Sequence, residues 1–235
     1  MLEWHTDLNA AIADARRTKR PILSLRLLGR LDEELSCANS RFFRRTLYPE
    51  PRIHRVLRER FVLHWQSLRR VPIVTIDFGD GRKVVRTLTG NSVHLVLDID
   101  GRPVDALPGL VTPDVFLQQL EIAHGLANMN RKQLAAAHQR LLTLSMPPTR
   151  KSRAMAASEV AMTKHVVEMP ILRAVQPSIV ELDTAVNLDL QQRIRETFGV
   201  GTAWTIDTLV AWIYRALFLM PLDDPFLGLD VPDPV

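Results

Sequence analysis

The chain has 235 residues, 46% hydrophobic and 24% charged, with a formal net charge of +4. Such a composition supports a packed core, and a single cysteine excludes a disulfide framework and suits a reducing compartment. The start shows no charged and then apolar leader, and the longest apolar run, 209–222, contains Arg215 and is too short to span a bilayer. A cytoplasmic protein without a membrane segment is expected.

The elements follow in order. Thr6 or Asp7 caps a first helix to about Thr18, whose Leu8, Ala11, Ile12 and Ala15 share one face. Arg20-Pro21 ends it, and residues 22–28 read as a mostly buried strand. A loop with Asp32, Glu33 and Glu34 leads to a helix from near Cys37 through Leu47. Pro49 and Pro51 punctuate it before a short helix over 52–60. Residues 61–67 form the next strand. A hairpin over 71–89 turns at Gly79-Asp80-Gly81-Arg82, and a second, over 93–106, turns at Asp100-Gly101. Thr112-Pro113-Asp114 is a helix start, and that helix is expected to run on to Leu144. Residues 146–153 read as a linker. Helical patterns follow over 156–167, 183–198 and 205–220, then an irregular tail from Pro221. The last of these helices is apolar nearly all round, so it must be covered. An intramolecular helical pair is preferred; a partner or self-association surface comes second.

Arginines cluster at 16–20, 41–45, 52–60 and 69–70. They are balanced by 26 acidic residues and accompanied by no recognition motif or stacking platform, so solvated faces are expected rather than a nucleic-acid interface. The histidines show no metal-ligand spacing. Asp98 and Asp100 read as turn residues around Gly101, and Gly79-Asp80-Gly81 as a turn rather than a phosphate loop.

Cys37 carries the most chemistry. It stands in Cys37-Ala38-Asn39-Ser40, a Cys-x-x-Ser spacing that outlines a thiol redox motif with a hydroxyl for the second sulfur. A thiol at a helix N-terminus meets unpaired N–H groups that favour thiolate. Arg41 and Arg44 would add to this, and Asp32, Glu33 and Glu34 would oppose it. Polar neighbours argue against deep burial. With no second cysteine, chemistry at Cys37 would pass through mixed disulfides or sulfenic acid. The alternative for Cys37 is a small buried hydrophobe, and for Asn39 and Ser40 plain helix capping.

The order helix, strand, Cys-loop, helix, strand, hairpin, helix resembles the thioredoxin-like superfamily, and several local features are similar to bacterial thioredoxin-like proteins. The resemblance rests on Trp4-His5-Thr6-Asp7-Leu8 through Pro21-Ile22-Leu23, on Phe61-Val62-Leu63, on Leu95 through Val104, and on Gly109 with Thr112 through Leu117. It covers about residues 3 to 125. It implies an α/β fold: a mixed sheet flanked by helices, with an inserted β-hairpin and a C-terminal α-helical extension. The expected domains are 1–125 thioredoxin-like, 126–153 helix continuation and linker, and 154–235 helical extension. Ser40 replaces the second cysteine, Ser92 aligns with the family's cis-proline, and no acid lies in strand 22–28.

Two functions follow as expectations. In the first, Cys37 is the nucleophile of monothiol exchange with a protein or glutathione disulfide, and Ser40 donates to its sulfur. Asn39, Asn91 and Ser92 then hold the incoming backbone or glutathione, a co-substrate; no other cofactor or metal is implied. His94, on the strand face of Ser92, reads as a core histidine or else a base near the thiol. In the second, the chain is a catalytically inactive thioredoxin-like scaffold that binds a protein partner through its helical extension.

Overall fold

The structure is a computed structural model describing residues 2–33, 36–87, 90–144 and 177–229. The expected linker at 146–153 and helix at 156–167 lie outside the described residues.

Alternating and continuous apolar runs give five strands of one mixed sheet: β1 (Trp4–His5), β2 (Ile22–Leu28), β3 (Val62–Arg69), and further on β6 (Ser92–Leu97) and β7 (Pro103–Pro108), in the order β1-β3-β2-β6-β7. β1 and β2 run parallel to β3, whereas β6 is antiparallel to both β2 and β7. β2 is central and buried along its whole length. It pairs Leu25 with Trp65 on one side and with His94 on the other. Each fully buried Leu or Ile contributes roughly 1.5–3 kcal/mol, and β2 supplies five.

Helix α1 (Leu8–Thr18) begins where Asp7 accepts the backbone N–H groups of Asn9 at 2.7 Å and Ala10 at 3.2 Å. It buries Ala11 and Ala15. Helix α2 (Ala38–Phe42) runs into a π-helical turn, Phe43–Leu47, and α3 (Pro51–Arg60) starts with proline inside a Glu50 cap. Strands β4 (Ile73–Asp77) and β5 (Lys83–Thr87) form the inserted hairpin; they pair with each other in a separate two-stranded sheet.

Helix α4 (Pro113–Leu126) was expected to continue to Leu144. It ends at Leu126, and α5 (Arg131–Leu144) begins afresh behind a reciprocal cap between Asn130 and Gln133, each backbone N–H bonding the other's side chain at 3.0 Å. Thr112 takes the cap position of α4, but its hydroxyl makes no capping bond. Its backbone N–H donates to Thr184 instead, at 2.9 Å.

The extension comprises α6 (Pro177–Gly199) and α7 (Ile206–Trp212), the latter continuing as a second π-helical turn, Ile213–Leu217. It docks on its own chain. Helix α6 lies along β7 and α5. There Arg195 grips the fully buried Asp105 through Nε and Nη2, the shortest bond being 2.6 Å, and also donates to Gln119 at 2.9 Å. Gly109 permits the approach of α6. Its φ is +62°, and a Cβ there would stand 2.3 Å from the Asn187 side chain, whose Nδ2 donates to the Leu110 carbonyl at 2.6 Å. The tail docks too: Arg69 donates to the carbonyls of Leu222, Asp224 and Pro225. The apolar residues of the last helix, Leu209, Val210, Ile213 and Leu217, are therefore buried within the chain.

The sheet divides the polar residues of β2 and its neighbours. Side chains of directly paired residues share a face. His94 packs on Phe43 and Phe116, so the π turn after α2 and helix α4 cover the face of Leu23, Leu25 and Leu27. Ser24 and Arg26 point the other way with His64 and Gln66. That face meets α1 and the start of α7. Among the described residues no helix is long and apolar enough to cross a membrane.

Candidate functional site around Cys37

The strand-to-helix junction places Cys37 at the N-cap of α2, opposite the segment that enters β6. Gly90 makes the approach possible: a Cβ at that position would stand 2.5 Å from the Cys37 Cβ. Asn39 then donates across the gap, to Asn91 Oδ1 at 3.1 Å and to Ser92 Oγ at 3.0 Å. All five residues singled out from the sequence, Cys37, Asn39, Ser40, Asn91 and Ser92, thus lie together.

Their surroundings differ from the expectation in four respects. Cys37 is fully buried, at 0% exposure, and Ser36, Asn39 and Ser40 are buried with it. Polarity in the neighbouring sequence did not keep the thiol near water because these side chains are bonded inside the protein: Ser40 to Ser36, and Asn39 to Asn91 and Ser92. Ser40 does not donate to the sulfur. Its hydroxyl bonds Ser36 Oγ and the Cys37 carbonyl, the latter at 3.0 Å, which is helix-terminus capping in kind. Arg41 and Arg44 hold loop groups, donating to the Ser36 carbonyl and the Glu33 carbonyl respectively. Finally, the Asn91–Ser92 wall is taken. Asn91 Oδ1 accepts from Ser92 N–H as well as from Asn39, and the Asn91 carbonyl accepts the Tyr214 hydroxyl at 2.7 Å. The chain's own extension fills the place assigned to an incoming backbone.

Two tyrosines that the sequence reading passed over complete the enclosure. Tyr48 directly follows the first π-helical turn and Tyr214 sits inside the second. Both are buried, and burial, followed by the nearby Cys37 thiol, pushes both phenols well above their ordinary range. π-helical turns often mark functional positions; here one precedes Tyr48 and the other contains Tyr214, and both phenols lie near enough to Cys37 to feel it electrostatically. Tyr48 shares a 2.8 Å hydrogen bond with His94 Nε2. Burial pushes His94 down to about 3, so the imidazole is neutral and built into the core, in line with its reading as a core histidine.

A second polar feature lies on the opposite face. A cleft of about 420 Å³ is lined by Leu8, Arg26, Gln66, Arg102, Trp204 and Asp207, among others. Arg26 is only 3% exposed, and its Nε and Nη2 have no hydrogen-bond partner among the described residues. Desolvation lowers its guanidinium to about 10, with the Asp207 charge opposing. The sequence signal was an arginine inside an otherwise apolar strand. Among the described residues no group of three or more His, Cys, Asp or Glu is arranged to hold a metal ion.

Compared with known proteins, the chain matches no family model, and no curated protein is significantly similar to it.

Proposed function

We propose that the chain is a thioredoxin-like scaffold that works by binding a protein partner, with Cys37 as a packed core residue rather than a redox centre. The sheet order and strand directions, with a Cys-loop between the central strand and the following helix, support the thioredoxin-like reading. One observation carries the non-catalytic part: the thiol has no exposed surface and Tyr214 occupies the wall beside it. Thiol–disulfide exchange needs a thiolate that an incoming disulfide can reach, and this thiol is closed to one.

The expected route to a partner, through the helical extension, is less well supported, because most apolar residues of α6 and α7 are buried within the chain, although Leu182 of α6 is exposed. The β4–β5 hairpin is the better candidate. Among the described residues its strands pair only with each other, and Ile73, Phe78 and Val85 are 54%, 58% and 37% exposed. A lone two-stranded ribbon is marginal in water, so a partner lying on it would complete its packing. Capture experiments with the full chain test this. Cys37→Ser should leave partner capture unchanged, and Ile73→Lys with Phe78→Lys should abolish it. Recovery of a partner through a Cys37 mixed disulfide would overturn the proposal.

A second reading, monothiol exchange at Cys37, draws on the placement of the thiol at the α2 N-cap against Gly90, Asn91 and Ser92. It requires α7 to leave, taking Tyr214 with it, before any disulfide can enter.

A further inference from the structure

Burying an arginine without partners is costly: its charge loses water, and each unbonded N–H forfeits a hydrogen bond. Nearly all buried polar groups are satisfied, so an exception calls for a cause. Arg26 is such an exception, and it lines a cleft. The two unbonded atoms are not a random pair. Nε and Nη2 form one edge of the guanidinium, the edge that presents two parallel N–H groups to a carboxylate. The same edge meets a carboxylate elsewhere in this chain, in Arg82 with Asp80 among others. Arg195 holds Asp105 with it, and Arg30 holds Asp32 with it at 2.9 and 2.7 Å. In Arg26 that edge stands without its carboxylate.

The charges around the cleft narrow the ligand. Arg102 is paired with Asp98 at 2.9 Å and Asp100 with Arg16 at 2.9 Å, so these cancel. Asp207 faces Arg26 electrostatically but lies beyond ion-pair distance, since no salt bridge joins them. With no ion pair of its own, Arg26 can offset at most a single negative charge. A dianionic phosphate would meet Asp207 with too little positive charge to offset it. Gln66 adds an amide, and Leu8 and Trp204 add apolar wall, the usual mixture in a small-molecule site.

We propose that this cleft binds a small monocarboxylate, gripped side-on by the Nε/Nη2 edge of Arg26 between Gln66 and Trp204. The site is independent of Cys37 and of the hairpin. It lies on the other face of the sheet and stands or falls apart from the scaffold reading.

Calorimetry and NMR on the full chain test it, with acetate and benzoate as probes and benzamide and phenylphosphonate as controls. At least one carboxylate should give saturable binding, shift the Arg26 Nε–H resonance, and bind about tenfold or more tightly than benzamide or phenylphosphonate. Arg26→Lys keeps the charge but loses the fork and should weaken binding by about tenfold or more. Arg26→Met should abolish binding while raising the unfolding midpoint of the ligand-free protein, because it removes a buried charge that has no partner. No saturable binding of either carboxylate would overturn the proposal. Equal binding by wild type and Arg26→Met would do the same, as would a destabilised Arg26→Met, which would mean that a buried water or protein group already satisfies the edge.

Discussion

Arg195→Met probes how the extension is held. In the native chain Asp105 is fully buried and Arg195 nearly so. Asp105 receives Nε at 3.3 and 3.2 Å and Nη2 at 2.6 Å, and apart from Arg195 its carboxylate keeps the Ala106 N–H at 2.9 Å. Removing Arg195 therefore strands a charge in a dry site and frees Gln119 Oε1 as well. Breaking a buried pair from one side costs about 3–5 kcal/mol, whereas replacing both partners with apolar groups of similar volume is often near neutral. The single variant should lose about 3–5 kcal/mol by urea denaturation, and Asp105→Leu with Arg195→Met should regain most of it. A single-variant loss below about 0.5 kcal/mol would refute the reasoning, placing the pair on a surface where such contacts contribute little. Equal losses in single and double variants would refute it too, since the cost would then lie in packing rather than stranded charge.

Gly90→Ala should cost about 1–3 kcal/mol, because the new methyl meets the Cys37 Cβ at 2.5 Å and one of the two segments must shift; a neutral result by thermal unfolding would mean that the gap is wider. Tyr214→Phe deletes the bond to the Asn91 carbonyl and should cost about 0.5–1.5 kcal/mol, with faster amide exchange in α7 and its π turn. The protein should also weaken in mild acid. His94 and His64 are held down to about 3 and about 4 by burial, with Arg26 adding to the effect at His64, while in the unfolded chain they titrate near ~6.5. The native state then binds fewer protons, so stability is lost as pH falls below about 6.5, by up to about 1.4 kcal/mol per pH unit for each histidine. Denaturation midpoints between about pH 7.5 and 5 check this. A flat profile there would contradict it, and His94→Phe should reduce the slope.

Much of the architecture was legible because its signals are local. The apolar runs at 22–28 and 61–67, the Asp7 cap and the Gly101 hairpin each express period, capping or turn chemistry within a few residues. The turn reading of Asp98 held: its Oδ1 accepts the N–H groups of Asp100 at 3.0 Å and Arg102 at 2.8 Å. The position of Cys37 against Gly90, Asn91 and Ser92 was legible from the order of elements. Its burial was not, because the covering groups come from far along the chain. Tyr214 is 123 residues from Asn91 in sequence. Ser36, Asn39 and Ser40 looked like an exposed polar patch because nothing local shows that Ser40 bonds Ser36 or that Asn39 bonds the distant Asn91 and Ser92. The π-helical turns escaped the 3.6-residue pattern by design of their geometry. Arg26 was visible as a letter, yet only pairing with Gln66 and Val93 in mid-sheet shows that its side chain is buried.

The burial of Cys37 is tested most directly by alkylation of the native full chain with a thiol reagent across a urea series. The account predicts that labelling is limited by opening of the structure, so that its rate rises in step with the unfolding equilibrium and quickens in Tyr214→Phe. Rapid stoichiometric labelling in the absence of urea, at the rate of the unfolded chain, would contradict it.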